Sequence, residues 1–399
     1  PHPDQREQHP DQWWQAIVKA CRTLAADQPR NRRQVLGIGL SGQMHGPVLL
    51  DAEHQVLRPV MLWNDSRAHA EAARLATLCP DIAGTAGVPP HAGFPAPKLL
   101  WLARAEPDLH ARIRHILMPK DWIGFRLHGQ IGTDMSDAAG TLWFDQAARD
   151  WAPDLARASG VQPEWLPPLR EGSDIAGHLT AEAAEALGLS PGTPVAAGGG
   201  DTSLGALSVG AVTEGALISM GTSGQLLRVR TSYNPAAHFV HSFAHSIPGR
   251  WYQMAALLNG ARPLQWFADM TAQPISTLLA EATAADPARI PLFLPYLVGE
   301  RTPLADPYIR GTFFGLADDT SRGDMMRAVI EGVAYGFALA AEALWGDDPR
   351  PDHLIGTGGG LRGDLMAQSL ADVLGVPIWR AAGAETGPAL GAARLAALA

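Results

Sequence analysis

At 399 residues the chain is too long for a single hydrophobic core, so two domains are expected. Hydrophobic residues make up 46% and the formal net charge is -9, with Lys and Arg scattered, which argues against a basic face for nucleic acid. Two cysteines, Cys21 and Cys79, stand in no metal or redox spacing and fit a reducing, cytoplasmic setting; no apolar run approaches the roughly 18 residues of a membrane span.

In chain order, residues 1–10 are polar and rich in proline, and Asp11 then precedes Trp14, Ile17, Val18, Cys21 and Leu24 at helical spacing. The run 35–40 (Val-Leu-Gly-Ile-Gly-Leu) reads as a buried strand that delivers Ser41-Gly42-Gln43-Met44-His45-Gly46 to its carboxyl end, where α/β folds meet ligands. His45 is either a ligand contact or a satisfied interior histidine. Residues 48–50 and 56–63 flank a polar turn and suggest a hairpin. A helix is expected to begin at Pro97, another after Met118-Pro119, and the Asp, Ser and Thr of 133–141 are read as turn formers.

Glycine then dominates the pattern. Pro194-Val195-Ala196-Ala197 feeds Gly198-Gly199-Gly200-Asp201-Thr202, and three successive glycines indicate backbone that approaches something closely. Asp201 stands either at the mouth of that approach or as a helix N-cap. Residues 215–229 read as two strands around Gly221-Thr222-Ser223-Gly224, a turn whose N–H groups and hydroxyls suit a phosphate. His238, His241 and His245 lack a cysteine or carboxylate partner, and an alternating strand would separate their rings, so no metal site is assigned. Ser321 and Asp324 form a capping box for a long helix whose Gly332 and Gly336 point to close packing. Leu354-Ile355-Gly356-Thr357-Gly358-Gly359-Gly360 is a strand entering a glycine turn, but it lacks the Gly-Lys-Ser/Thr ending of a P-loop. Three glycine-hydroxyl loops over two candidate domains favour a nucleotide held between lobes.

Gly311-Thr312-Phe313-Phe314-Gly315-Leu316, continuing through Asp324-Met325 to Ala328-Val329-Ile330-Glu331, is similar to the C-terminal signature of the FGGY carbohydrate kinase family. Residues 93–102 resemble its other signature, with a departure at Ala105. Gly42-Gln43-Met44-His45-Gly46, Leu62-Trp63-Asn64-Asp65, Pro119-Lys120-Asp121, 133–141 and Gly299-Glu300-Arg301-Thr302-Pro303 resemble the branch that phosphorylates D-xylulose.

The resemblance implies an α/β protein of the two-lobed actin, sugar kinase and heat-shock ATPase fold, with a first lobe over 1–211 and a second over 212–399. It implies ATP-dependent phosphorylation of D-xylulose with Mg²⁺. Asp201 would be the catalytic proton acceptor. Met44, His45, Trp63, Asp201 and Thr202 would contact the sugar, while Gly221, Thr222, Ser223, Gly358, Gly359, Gly360 and Gln368 would border ATP. Thr202 and Gly363 stand where the family more often has Asn and Ser or Asn. The first phosphate hairpin is expected before Pro1 and the helix returning to the first lobe after Ala399. A kinase for another ketose or polyol, and a sugar-binding remnant, are the alternatives. Neither nucleic acid nor membrane is an expected partner, and a homodimer is a further expectation.

Overall fold

The computed structural model describes residues 4–27, 35–213, 215–235, 237–381 and 386–399. The second lobe is built on a six-stranded sheet in the order His241–Ala244, Trp251–Leu257, Gly224–Arg230, Ala216–Met220, Leu354–Thr357 and Ile378–Arg380. The first four strands are antiparallel neighbours, and the last two add in parallel. Alternation along a strand assigns its side chains to opposite faces. Ile218, Met220, Leu226, Ala255 and Leu257 meet the helix Arg322–Trp345 in one core. Leu217, Leu227, Val229, Phe243, Tyr252 and Met254 face the other way and join Leu49, Leu99, Phe94 and Trp143 of the first lobe. The sheet is therefore covered on one side by its own helices and on the other by the first lobe.

The helix Arg322–Trp345 starts at the expected capping box, with Ser321 and Asp324 each bonding the other's backbone N–H. Gly332 is required there, since a Cβ would stand 2.3 Å from the Phe293 carbonyl oxygen. Contrary to the reading of the sequence, this helix is long and apolar enough to cross a membrane, but it is mostly buried as the core helix of the second lobe.

The first lobe uses short strands. Ser41–Gly42 pairs in parallel with Gly199–Gly200, Pro194–Ala196 pairs with Ile175–His178, and Val48–Leu50 pairs with His115–Leu117. The buried strand expected over 35–40 is reduced to a single Ile38–Val195 bridge, and Leu36 is exposed. The segment still pairs through Ile38 and Leu40, with Ile38 N donating to the Pro194 carbonyl and Gly199 N to the Leu40 carbonyl, and Gly39 between them faces a helix, where a Cβ would lie 2.0 Å from the carbonyl oxygen of Ala392. The helix Pro95–Ala105 starts at the first proline rather than at Pro97, as suits a proline in the opening turn after an extended Phe94.

Ala392 belongs to the helix Pro388–Leu398, which lies against the helix Asp201–Ser208. The return to the first lobe, expected after Ala399, is thus made by residues 388–398.

Candidate active site

Asp201 is placed by backbone contacts that only glycine permits. Gly198 has φ +86°, and a Cβ there would lie 2.3 Å from the Leu40 carbonyl oxygen. A Cβ on Gly200 would lie 2.7 Å from Met44 Sδ, so the Met44 side chain rests directly on the residue before Asp201. Gly200 is the N-cap, and Asp201 opens the helix. The carboxylate is thus free of a capping bond and faces the cleft, with Thr202 Oγ1 3.4 Å away. Asp201 is exposed to the cleft, yet crowding by the surrounding atoms raises the pKa of its carboxylate, against the opposing hydrogen bonds from Thr202.

Asp201 and Thr202 line a cleft of about 520 Å³ whose opposite wall is Ser219, Gln225, Gly358 and Gly359 of the second lobe, with Arg362 and Arg380 beside them. Gly358, at φ +91°, presses on the end of the strand that carries Met220, whose carbonyl oxygen would lie 2.5 Å from a Cβ. Gly360 packs on the same residue, whereas a Cβ on Gly359 would meet nothing within 4 Å. The two glycine turns are therefore neighbours. Gly221, Thr222 and Ser223 form the exposed end of the expected hairpin. The Gly221 and Thr222 carbonyls accept bonds from Ala261, Gly260 and Arg262 backbone N–H groups, which fixes the turn and leaves its hydroxyls outward. Gln368 is exposed on its helix, bonded to Asp372 Oδ1 at 2.7 Å, and does not line this cleft.

The sugar-side residues converge on Phe94. His45 has φ +69°, its Nδ1 donates to the Gly140 carbonyl at 2.7 Å, and its ring meets Phe94 edge-on with centroids 4.6 Å apart. His91 and His241 stand 6.4 and 6.0 Å from the same ring. Burial is the main cause that lowers the pKa of His45 and His241 to about 3; His91 keeps an exposed surface, and crowding around it lowers its pKa to about 4. Trp63 is 47% exposed, and its carbonyl would lie 2.4 Å from a Cβ on Gly93. His245 lies apart, against Tyr252 at 6.1 Å.

Two buried lysines were not legible as site components. Lys98 Nζ donates to the carbonyls of His45, Met61 and Leu62 at 2.7, 3.1 and 2.8 Å, pinning the segments that carry His45 and Trp63. Lys120 is bonded to Asp121, lies 3.1 Å from Asp134 and 3.8 Å from Asp137, and donates to the Ala197 carbonyl at 3.1 Å. Residues 133–141, read as turn formers, are thus a sealed charge cluster. Asp134 does cap its helix as a turn former would, but its Oδ2 also accepts from Ser136 Oγ at 2.5 Å, and Ser136 Oγ accepts from Gly200 N at 3.0 Å. Asp121, Asp134 and Asp137 are the one group of three ligand-type side chains near enough to share an ion among the described residues. The Lys120 ammonium occupies that place.

A nucleotide-sized cleft with one carboxylate on a helix start, facing glycine turns across two α/β lobes, defines a two-lobed phosphotransferase of the sugar kinase fold. Models of the N-terminal and C-terminal domains of the FGGY family of carbohydrate kinases match residues 1–208 and 216–399. The chain belongs to that family. It is 42% identical to the xylulose kinase of Escherichia coli, over 100% of this chain and 83% of the relative. A crystal structure described as a xyloylose kinase from Brucella ovis superposes with TM-score 0.95 at 41% identity, covering 100% of this chain and 83% of that one. A gluconate kinase from Lactobacillus acidophilus superposes with TM-score 0.92 at 26% identity, covering 99% and 81%.

Proposed function

We propose that this chain transfers the terminal phosphoryl group of ATP to the terminal hydroxyl of D-xylulose, giving D-xylulose 5-phosphate and ADP. The observation that carries the reading is the placement of Asp201 opposite Gly358 and Gly359 across one cleft. The bond from the sugar oxygen to phosphorus forms as the bond from phosphorus to the ADP oxygen breaks. Asp201 orients the hydroxyl and accepts its proton. Charge on the transferring group is met by N–H groups of the turns at Gly221 and Gly358, which suits a loose transition state in which positioning and electrostatics supply most of the catalysis.

In this reading the lobes divide at 211/212. Met44 and His45 with Thr202 contact the sugar, and Trp63 forms the outer wall. Gly221, Thr222, Ser223, Gly358, Gly359 and Gly360 border the nucleotide, joined by Gln368 from the exposed face of its helix. Mg²⁺, held by the nucleotide phosphates with Asp201 as the carboxylate nearest the cleft, would neutralise charge on the β- and γ-oxygens. The sealed trio Asp121, Asp134 and Asp137 does not fit that ion, because Lys120 already fills it. A cytoplasmic homodimer completes the proposal; the exposed Leu292, Leu294, Phe314 and Leu316 support the dimer, and sedimentation tests it.

Thr202 and the resemblance to a gluconate kinase favour a second reading, a kinase for another sugar of the same family. A coupled ADP-release assay with D-xylulose, D-ribulose and glycerol separates the two. Turnover on glycerol alone overturns the D-xylulose assignment. Sugar binding by calorimetry without ADP release identifies a sugar-binding remnant.

A further inference from the structure

Two short strands of the first lobe end side by side. Ser41–Gly42 and Gly199–Gly200 run in parallel with Gly42 opposite Gly200, so Asp201, directly after the second strand, and His45, in the loop after the first, emerge at the same carboxyl end. A third segment ties them together. Ser136 Oγ accepts from Gly200 N at 3.0 Å, and at the far end of the short helix Met135–Ala139 the Gly140 carbonyl meets His45 Nδ1 at 2.7 Å. The two anchor points are about one helical turn apart. Met44 fills the space between them: a Cβ on Gly200 would lie 2.7 Å from its Sδ, and one on Gly140 would lie 2.8 Å from its Cε. A chain of direct contacts thus sets His45 next to the start of the helix that carries Asp201.

The hydrogen-bonding sense of His45 follows from its partner. A carbonyl oxygen only accepts, so Nδ1 carries the proton. Burial holds the pKa of the ring at about 3, so near neutral pH there is no second proton and Nε2 presents a bare lone pair. That atom has no hydrogen bond among the described residues and, unlike His241 Nδ1, is not sealed in. The ring is held in place: Phe94 stands edge-on to it at 4.6 Å, Lys98 Nζ bonds the His45 carbonyl at 2.7 Å, and a Cβ on Gly140 would lie 2.6 Å from Cε1. An acceptor takes a hydroxyl, which can donate, and repels a ketone oxygen, which has no proton to give. Asp201 receives the hydroxyl to be phosphorylated, which leaves His45 a hydroxyl further along the chain.

We propose that the Gly140 carbonyl sets His45 as a hydrogen-bond acceptor, so that this position receives a hydroxyl of the ketose and excludes its ketone oxygen. The proposal rests on the D-xylulose reading and adds the polarity that orients the sugar. Gly140 is a positioning residue that acts through His45. Its missing side chain admits the ring, and its carbonyl chooses the tautomer.

The test has a spectroscopic and a kinetic arm. NMR of the protein labelled with ¹⁵N at its histidine rings, with the His45 signals assigned by their loss in His45→Gln, should show the proton on Nδ1 and a bare Nε2 that responds to D-xylulose. The kinetic arm compares D-xylulose with its three monodeoxy analogues that keep the hydroxyl to be phosphorylated. One of them should lose about 10- to 100-fold in kcat/KM with wild type, and that loss should shrink to about twofold in His45→Phe, or in His45→Ala if His45→Phe does not fold. Gly140→Ala should raise the KM for D-xylulose about tenfold while the KM for ATP stays within about twofold; the His45 variants carry the test if Gly140→Ala does not fold. A proton on Nε2, the absence of any analogue whose loss is relieved by removing His45, or an equal rise in the KM for ATP in Gly140→Ala overturns the proposal. If the wild-type protein does not turn over D-xylulose, the substrate reading fails by itself, and the NMR arm still decides whether Gly140 sets the His45 ring.

Discussion

Lys98 and Lys120 are both sealed inside the first lobe, one beneath the segment that bears His45 and the other beneath the strand that leads to Asp201. Burial disfavours both charges, yet their surroundings drive them apart. Around Lys120, the attraction of Asp121, Asp134 and Asp137 outweighs desolvation and raises the pKa. Around Lys98, three carbonyl oxygens are the only hydrogen-bond partners among the described residues, and desolvation pulls its pKa down to about 7, with Asp65 opposing and Arg67 assisting. A lysine among carboxylates is a permanent charge. A lysine among carbonyls is a donor whose charge is negotiable near neutral pH.

The largest expected effect tests what the Lys120 region is for. Asp201→Asn should reduce turnover roughly 100- to 10,000-fold, about 3 to 5 kcal/mol of barrier, with sugar binding retained. Near wild-type turnover in the ADP-release assay would leave the charge cluster with no catalytic group to support. Lys120→Met strands three buried carboxylates and should cost about 3 to 5 kcal/mol of stability, read from urea unfolding. Asp121 and Asp137 already have raised pKa values through burial, so protonation of these two can offset part of that loss.

Lys98→Met should cost less, about 2 kcal/mol, because the carbonyls left behind are neutral. A loss equal to that of Lys120→Met would erase the distinction. The pH dependence sharpens it further. Unfolded, Lys98 titrates near 10.4, and folded at about 7, so between these values the unfolded chain binds the extra proton and stability rises with pH. Lys120, raised in the fold, gives its full stabilisation below the ordinary lysine value and loses it only above. The difference in urea midpoint between wild type and Lys98→Met should therefore grow from pH 7 to 10. A flat difference would mean that the three carbonyls hold the ammonium as firmly as carboxylates do.

Ser136→Ala is the smallest change. It removes the acceptor of Gly200 N–H and should lower turnover roughly fivefold with little effect on the KM for either substrate, matching the loss of one hydrogen bond. A change in KM alone would assign Ser136 to sugar binding instead.

Much of this was legible before any coordinates. Glycine tolerates backbone contact and positive φ, so Gly198 and Gly358 announced the cleft. The Ser321–Asp324 box marked its helix because capping is local in sequence. The charge cluster stayed hidden because Asp134 and Asp137 look like turn residues until Lys120 arrives from another helix. Lys98 lay within a quoted signature, but nothing local shows that its partners are three carbonyls from distant segments. The strand over 35–40 shortens because only Ile38 and Leu40 pair with residues 194–199, and a run of small apolar residues does not show where such pairing begins.

The helix Pro388–Leu398 carries a consequence for how the reacting carboxylate tolerates mutation. A Cβ on Gly391 would lie 2.0 Å from the Leu204 carbonyl, and one on Gly39 equally close to Ala392. Main chain thus bears on main chain from residue 39, through the terminal helix, to the helix that begins at Asp201. A joint seated this way has no side-chain shim whose thickness could drift. A single methyl group added at residue 39 or 391 would lift the whole stack, whereas on the other side of Asp201 the setting rests on the Met44 and Ser136 side chains that meet Gly200.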